Sequence, residues 1–152
     1  MEVQMPSSSI TAYAGSSTGY VRERDIRQRR YLPQLTVGAE SANVIPVTIS
    51  MTTFQEALND YVVADEAIAL ECVLYAANGI ESLAAAHHLG ESGAGTEISS
   101  TDQARLIITT SAGGAATLEV TDVVGGSAAT LYLKIQPLNV PGFPAYTAIT
   151  FD

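Results

Sequence analysis

Metal binding is the first chemistry to consider, and the sequence offers two adjacent histidines and one acidic cluster for it. Neighbouring residues of a strand point to opposite faces, so His87 and His88 are not expected to ligate one ion together. Asp60, Asp65 and Glu66 could gather a cation that prefers oxygen ligands, but they lack the DxDxDG spacing of a calcium loop. A solvated acidic loop is the favoured interpretation, and we expect no metal site.

Covalent chemistry has equally few candidates. Lys134 is the one lysine and could suggest a Lys–Asn cross-link, but it lies between Leu133 and Ile135 on the polar side of a predicted strand. A surface lysine is favoured. Cys72 is the one cysteine and lies in an apolar run, which is typical of a small buried hydrophobe. No GxSxG elbow and no triad spacing accompany the serines. We therefore expect no enzyme activity, no catalytic residue and no cofactor.

The elements that would position these residues are strands. The run from Arg105 to Phe151 predicts four consecutive strands, because its apolar and polar residues alternate with a period of two. The apolar residues expected to face the core are Ala116, Leu118, Val120, Leu131, Leu133, Ile135, Ile149 and Phe151. Between the strands lie Gly113-Gly114, Gly125-Gly126 and Pro141-Gly142, which suit tight reversals. These glycines are interpreted as turns and not as a phosphate cradle.

The middle of the chain predicts further strands. Residues 43–53 alternate, and Pro46 within them predicts an edge strand or a bend, because proline lacks an N–H donor. Residues 61–63 are expected to pair locally. The apolar run from Ala67 to Ala77 predicts a central strand with Ile68, Leu70, Cys72 and Leu74 on one face.

Asn78-Gly79 is the strongest hairpin signal of the chain. It predicts that the following residues 81–89 form a short returning strand, although these residues also have helical propensity. Residues 90–101 are rich in Gly, Ser and Thr and predict a long exposed loop.

Seven or eight strands at this spacing are typical of an all-β, two-sheet antiparallel sandwich of immunoglobulin-like architecture, without the Cys, Trp and Cys of antibody domains. We assign it to residues 35–152 and treat residues 1–34 as an extended N-terminal arm. Residues 1–19 have too few apolar side chains to close a core, and this composition predicts disorder unless the arm lies along a neighbouring subunit.

Charge separates these two parts. Residues 1–34 carry five arginines against three acids, a net charge of +2, whereas residues 35–152 carry two cations against thirteen acids, a net charge of −11. So acidic a body is expected to repel nucleic acid and anionic lipid. No secretory signal and no transmembrane helix are expected either, which predicts a chain made in the cytosol.

Residues 20–31 concentrate the cations, and i,i+4 pairs there would support a short helix before Pro33. The cluster could be a solvated charged face, an anchor on an acidic partner surface or, least favoured, a nucleic-acid contact. Arginine and tyrosine are good interface anchors. The candidate anchoring residues are Tyr13, Tyr20, Arg22, Arg24, Arg27, Arg29, Arg30 and Tyr31.

The segments IITTSAGGAATLEVTD and ATLYLKIQPLNVPGFPAYTAITFD carry a family resemblance. Over residues 43–152 the chain resembles the small immunoglobulin-like virion proteins of tailed bacteriophages, namely the capsid decoration (cement) and head-fibre proteins. The matching positions are Thr110, Gly113, Gly114, Leu118, Val120, Tyr132, Ile149, Thr150 and Phe151. The chain departs from the family where Gly113-Gly114 replaces an Asp-Gly turn and where Pro141 and Pro144 enter the last loop.

The resemblance implies a non-enzymatic virion component on the capsid exterior, assembled in the host cytoplasm. Its partners would be the major capsid protein and neighbouring copies of itself, as a trimer, with no nucleic acid and no membrane. Two alternatives stay open. One is a tail or neck component, and the other is a module that binds host glycans or receptors through the loops at 90–102 and 136–146.

Overall fold

The computed structural model describes residues 30–76, 87–102, 104–126 and 128–152. These residues contain ten strands and no helix. In chain order the strands are β1 (Tyr31–Val37), β2 (Val44–Gln55), β3 (Asp60–Val63), β4 (Ala69–Ala76), β5 (His87–Glu91), β6 (Thr96–Asp102), β7 (Arg105–Thr109), β8 (Ala115–Asp122), β9 (Ala129–Pro137) and β10 (Ala145–Phe151).

The strands form two antiparallel sheets. Sheet I has the order β10-β9-β4-β7-β6, and sheet II has the order β1-β2-β8-β5, with β3 paired to the end of β2. In immunoglobulin lettering, β1, β2, β8 and β5 correspond to A, B, E and D, and β10, β9 and β4 correspond to G, F and C. The chain is thus an all-β, immunoglobulin-like two-sheet sandwich, as predicted. The β6–β7 hairpin and the short β3 bring the strands to more than the expected seven or eight.

The inner faces of the two sheets form one core. Alternate residues of β2, β4, β8, β9 and β10 point inward, and most of their side chains are fully buried. The predicted alternation of the four C-terminal strands is confirmed, since all of the apolar residues expected to face the core are buried. The central-strand prediction is confirmed too, because β4 lies between β9 and β7.

Cys72 belongs to this core. Its side chain is fully buried, which confirms its interpretation as a small buried hydrophobe. Burial, with a smaller contribution from the negative charge of Glu71, raises the pKa of the thiol. The thiol therefore stays protonated at neutral pH and is a poor nucleophile.

Of the two alternatives predicted for Pro46, an edge strand or a bend, the edge strand is wrong. β2 pairs with β1 on one side and with β8 on the other. Pro46 is tolerated because its carbonyl accepts the Gly38 N–H, just beyond the last paired residue of β1. A strand residue directs its N–H and C=O to the same neighbouring strand. The N–H that Pro46 lacks would therefore point toward Gly38, where β1 has already ended and no strand hydrogen bond is lost.

The predicted hairpin between residues 67–77 and 81–89 is also wrong. β4 lies in sheet I, whereas the next described strand, β5, pairs with β8 in sheet II. The connection therefore crosses between the sheets, as the C–D connection of an immunoglobulin sandwich does. The Asn78-Gly79 turn itself lies outside the described residues, as do residues 81–86, and β5 extends two residues beyond the predicted strand.

The predicted long loop at 90–101 is corrected as well. β5 continues to Glu91, and β6 occupies Thr96–Asp102 as the outermost strand of sheet I. β6 has no apolar alternation, and its one large apolar side chain, Ile98, is 59% exposed. Backbone pairing with β7 holds this polar strand in place, with two register irregularities.

Gly114 lies at the crossing from β7 in sheet I to β8 in sheet II. Its φ is +76°, in the left-handed region that favours glycine. Its carbonyl accepts the Met51 N–H at 2.8 Å. A Cβ at this position would overlap the carbonyl oxygen of Ala64. Three segments therefore meet around a residue that has no room for a side chain.

We expect Gly114→Ala to lower the free energy of unfolding by more than about 2 kcal/mol, because it adds a steric clash with backbone to the conformational strain. Gly126→Ala is the matched control, since Gly126 has a similar φ of +72° but no atom near its Cβ position. The control should lose only about 1 kcal/mol. Urea unfolding measures both values, and equal losses would contradict the role of the close approach.

Candidate interaction surface

The N-terminal segment joins the sandwich at Tyr31, whose main chain connects to both sheets. Tyr31 pairs with Thr53 of β2 in sheet II. Its N–H donates to the Pro141 carbonyl at 3.1 Å, and its carbonyl accepts the Phe143 N–H at 3.0 Å, in the loop that leads from β9 to β10 of sheet I. The loop passes so close that a Cβ on Gly142 would lie 2.5 Å from the Tyr31 carbonyl oxygen. The chain is thus fixed where it enters the fold.

The side chain of Tyr31 is part of the core, which corrects its assignment as an exposed anchor. It is 4% exposed, and its hydroxyl donates to Glu66 Oε2 at 2.6 Å. In β1, Tyr31 and Pro33 alternate toward the inside, so strand pairing with β2 turns the ring inward. Residues 31–34, predicted as the end of the arm, therefore belong to the first strand of the sandwich.

Arg30 is the one other predicted anchoring residue within the described part of the chain. Its carbonyl accepts the Phe54 N–H at 2.9 Å, and its guanidinium lies over the ring of Phe143, 5.7 Å from the centroid. Phe143 is 47% exposed. Tyr13, Tyr20, Arg22, Arg24, Arg27 and Arg29 lie outside the described residues.

The end of the sandwich at which Arg30 enters, here called the Arg30 end, also carries five connecting segments. They are residues 56–59, 64–68, 92–95, 110–114 and 138–144. The loops named for the recognition alternative are reduced to 92–95 and 138–144, because their other residues belong to strands β5, β6, β9 and β10. These two loops lie at opposite lateral edges of sheet I, so they do not adjoin.

The outer face of sheet I carries several tyrosines, with Tyr146 next to the Arg30 end and Tyr132 and Tyr75 toward the opposite end. Tyr132 of β9 lies opposite Tyr75 of β4, and Tyr146 of β10 lies opposite Lys134. Tyr132 is 41% and Tyr146 is 63% exposed. Tyrosine and arginine are enriched where interfaces derive most of their binding energy. The alternation of β9 and β10 already places these tyrosines outward, but nothing in the sequence shows that they share one face.

The same face holds both cations of residues 35–152. Lys134 points outward, as its alternation predicts, and Arg105 forms an ion pair with Glu71 at 2.5 Å. The outer face of sheet I is therefore less negatively charged than the net charge of residues 35–152 would suggest.

The structure does not bring the candidate metal ligands of the sequence together into one site. His87 is 8% exposed beside the Phe151 ring at 5.3 Å, and His88 points to the opposite face of β5. Asp60, Asp65 and Glu66 are exposed. Within the described ranges, no three His, Cys, Asp or Glu residues are grouped so that they could hold a metal ion. Those ranges also contain no helix with the length and apolarity to cross a membrane.

Comparison with known proteins adds little. No protein-family model matches the chain, and no curated protein matches it. Among solved structures, the GAE domain of GGA2p from Saccharomyces cerevisiae aligns with 80% of this chain and 88% of its own length, at 13% sequence identity and a TM-score of 0.35. A similarity this weak says nothing about function.

We expect Tyr31→Phe to lower the free energy of unfolding by about 1 kcal/mol, because it removes the hydrogen bond to Glu66 and keeps the ring in the core. Glu66→Gln tests the other partner, and the double variant gives the coupling energy between them by urea unfolding. Tyr132→Phe is the control, since that side chain is exposed and should change stability by less than about 0.5 kcal/mol. Zero coupling between Tyr31 and Glu66 would contradict this assignment.

Proposed function

We propose that this chain is a non-enzymatic structural protein of a tailed-phage particle, a capsid decoration protein held on the shell by residues 1–30. The sandwich would face away from the shell. The observation that carries the proposal is the position of Tyr31, the first strand residue of the acidic domain, which directly follows the basic residues 22–30 in the chain. Main-chain bonds to Pro141 and Phe143 fix this position.

The charge distribution supports attachment through the N-terminal segment. Five arginines lie in residues 22–30, and the remaining chain has a net charge of −11 from residue 35 onward. An acidic partner surface would attract the first part and repel the second, so it would orient the domain as well as bind it. Arginine adds bidentate contacts to carboxylates, which a lysine cannot reproduce.

The part of the sandwich next to the basic segment would also contact the shell. Arg30 stacks on Phe143, and Leu138 in the same loop is 47% exposed. Both apolar side chains lie at the Arg30 end, beside the point where the basic segment begins. A partner that binds residues 1–29 therefore meets exposed apolar surface on the sandwich immediately after them.

Stabilisation of the shell would follow from linkage. A protein that binds the assembled shell, and not its free subunits, shifts the equilibrium toward the assembled state. Many symmetry-related copies add avidity if neighbouring copies also touch each other. The sandwich needs no catalytic group for this task.

Removal of residues 1–29 should abolish attachment to the particle and leave the domain folded, because Arg30, Tyr31 and the contacts described for them above remain. The truncation must not extend further, since loss of Tyr31 would remove a core residue. A variant that lacks only residues 1–19 is the control that separates the Ser/Gly-rich part from the arginines. Electron microscopy of labelled particles gives both occupancy and location. Full occupancy of the chain that lacks residues 1–29 would refute the attachment, and density on the tail would replace decoration with the tail alternative.

Replacement of Arg22, Arg24, Arg27 and Arg29 by alanine should weaken attachment and flatten its dependence on salt, since charge–charge attraction is screened at high ionic strength. Arg30 is kept in this variant because it packs on Phe143. The matched control replaces the same four residues by lysine, which keeps the charge and hence the salt dependence. Binding of purified protein to stripped particles at several salt concentrations is the measurement. An alanine variant with the wild-type salt slope would show that charge is not the attractive force.

A further inference from the structure

The lateral edges of the two sheets differ in how well they are protected against pairing with another chain. β6 has two register irregularities and the charge of Glu97. β5 has five residues, among them Gly90 and Glu91. β1 contains Pro33, which removes a backbone donor. Irregularity, charge, short length and proline are the features with which sheet proteins prevent edge-to-edge association.

β10 has none of these features. It pairs with β9 without interruption from Ala145 to Phe151, and its sequence AYTAITF contains no charge, proline or glycine. Within the described part of the chain, its backbone is hydrogen-bonded only to β9. β1 runs nearby, but its main-chain bonds to this side of the sandwich reach Pro141 and Phe143, before β10 begins. Among the described residues no strand pairs with the outer edge of β10, so its outer N–H and C=O groups are candidates for pairing with a further strand.

We propose that β10 pairs with β10 of a second copy of this chain, antiparallel and across a two-fold axis at Ala148. The two five-stranded sheets would join into one sheet of ten strands. An isologous interface must be self-complementary, and β10 meets this condition because a two-fold axis at its central residue places Tyr146 opposite the partner's Thr150. Pairs of an aromatic and a β-branched side chain are favourable across antiparallel strands.

The charge distribution favours a second copy of this chain as the partner that pairs with β10. Each chain carries a net charge of −9, so two copies repel each other over most of their surfaces. β10 is uncharged, and on its outer face Lys134 of β9 lies directly opposite Tyr146. The carboxylates of Asp152 and of Glu40, whose Oε2 accepts the Asp152 N–H at 3.0 Å, lie at one end of the strand, so an antiparallel pair would keep those of the two copies at opposite ends. Pairing would also cover part of the exposed rings of Tyr146 and Tyr132.

Sedimentation of the full chain tests the pairing. The wild type should sediment as a dimer of twice the 15.9 kDa chain mass. Ala148→Lys should weaken the dimer at least about tenfold, because it places two ammonium groups opposite each other at the axis. Ser99→Lys on the exposed edge of β6 is the matched control and should leave the dimer unchanged. A monomeric wild type overturns the proposal, as does a trimer or a dimer that Ala148→Lys does not affect.

A second measurement remains decisive if Ala148→Lys fails to fold. Ala148→Cys should form a covalent dimer under mild oxidation, since directly opposite residues of an antiparallel pair have the spacing that a disulfide needs. Ser99→Cys should not, and Cys72 gives no background because it is fully buried. Absence of the cross-link overturns the proposal. So does a dimer that is lost when residues 1–29 are deleted, because the N-terminal segment would then be the occupant. Attachment to particles does not enter either measurement, so the proposed function can fail independently.

Discussion

The packing of two apolar sheet faces against each other is the constraint on which this structure depends. Ile49 and Leu118 from sheet II and Leu70 and Leu133 from sheet I are fully buried in it. Since side chains alternate along a strand, a slip of one residue in any of these strands would turn a whole apolar set toward water. The core thus sets the register of every strand that contributes to it, with no disulfide to help.

Tyr31 links this core to the segment that precedes it. Its ring lies in the core, its hydroxyl reaches Glu66, and its main chain is held by the loop between β9 and β10. The same residue therefore belongs to the core and directly follows the basic residues 22–30 in the chain. A basic segment that is joined to so fixed a residue can orient the whole domain when it binds, and this is why Tyr31 matters to the proposed attachment.

The outer surface divides into parts with different tasks. Residues 35–152 carry thirteen acidic residues and two cations, and both cations lie on the outer face of sheet I, which also carries the exposed Tyr132 and Tyr146. β6 is polar and irregular, whereas β10 at the opposite edge of the same sheet is regular and uncharged. The proposed docking end and the proposed self-pairing edge are neighbours, because the loop at 138–144 leads directly into β10.

The sequence by itself determined the all-β class, the four C-terminal strands and the central strand at β4, because alternation with a period of two is a local pattern that burial of one face requires. It also singled out Arg30 and Tyr31 as candidate anchoring residues. It did not show β6, since a polar edge strand is held by backbone pairing and has no apolar alternation. Only the tertiary structure decided that β5 and β8 join sheet II and that the Tyr31 ring faces inward. These outcomes depend on contacts between residues far apart in the chain, such as Tyr31 with Pro141, and such contacts leave no local pattern.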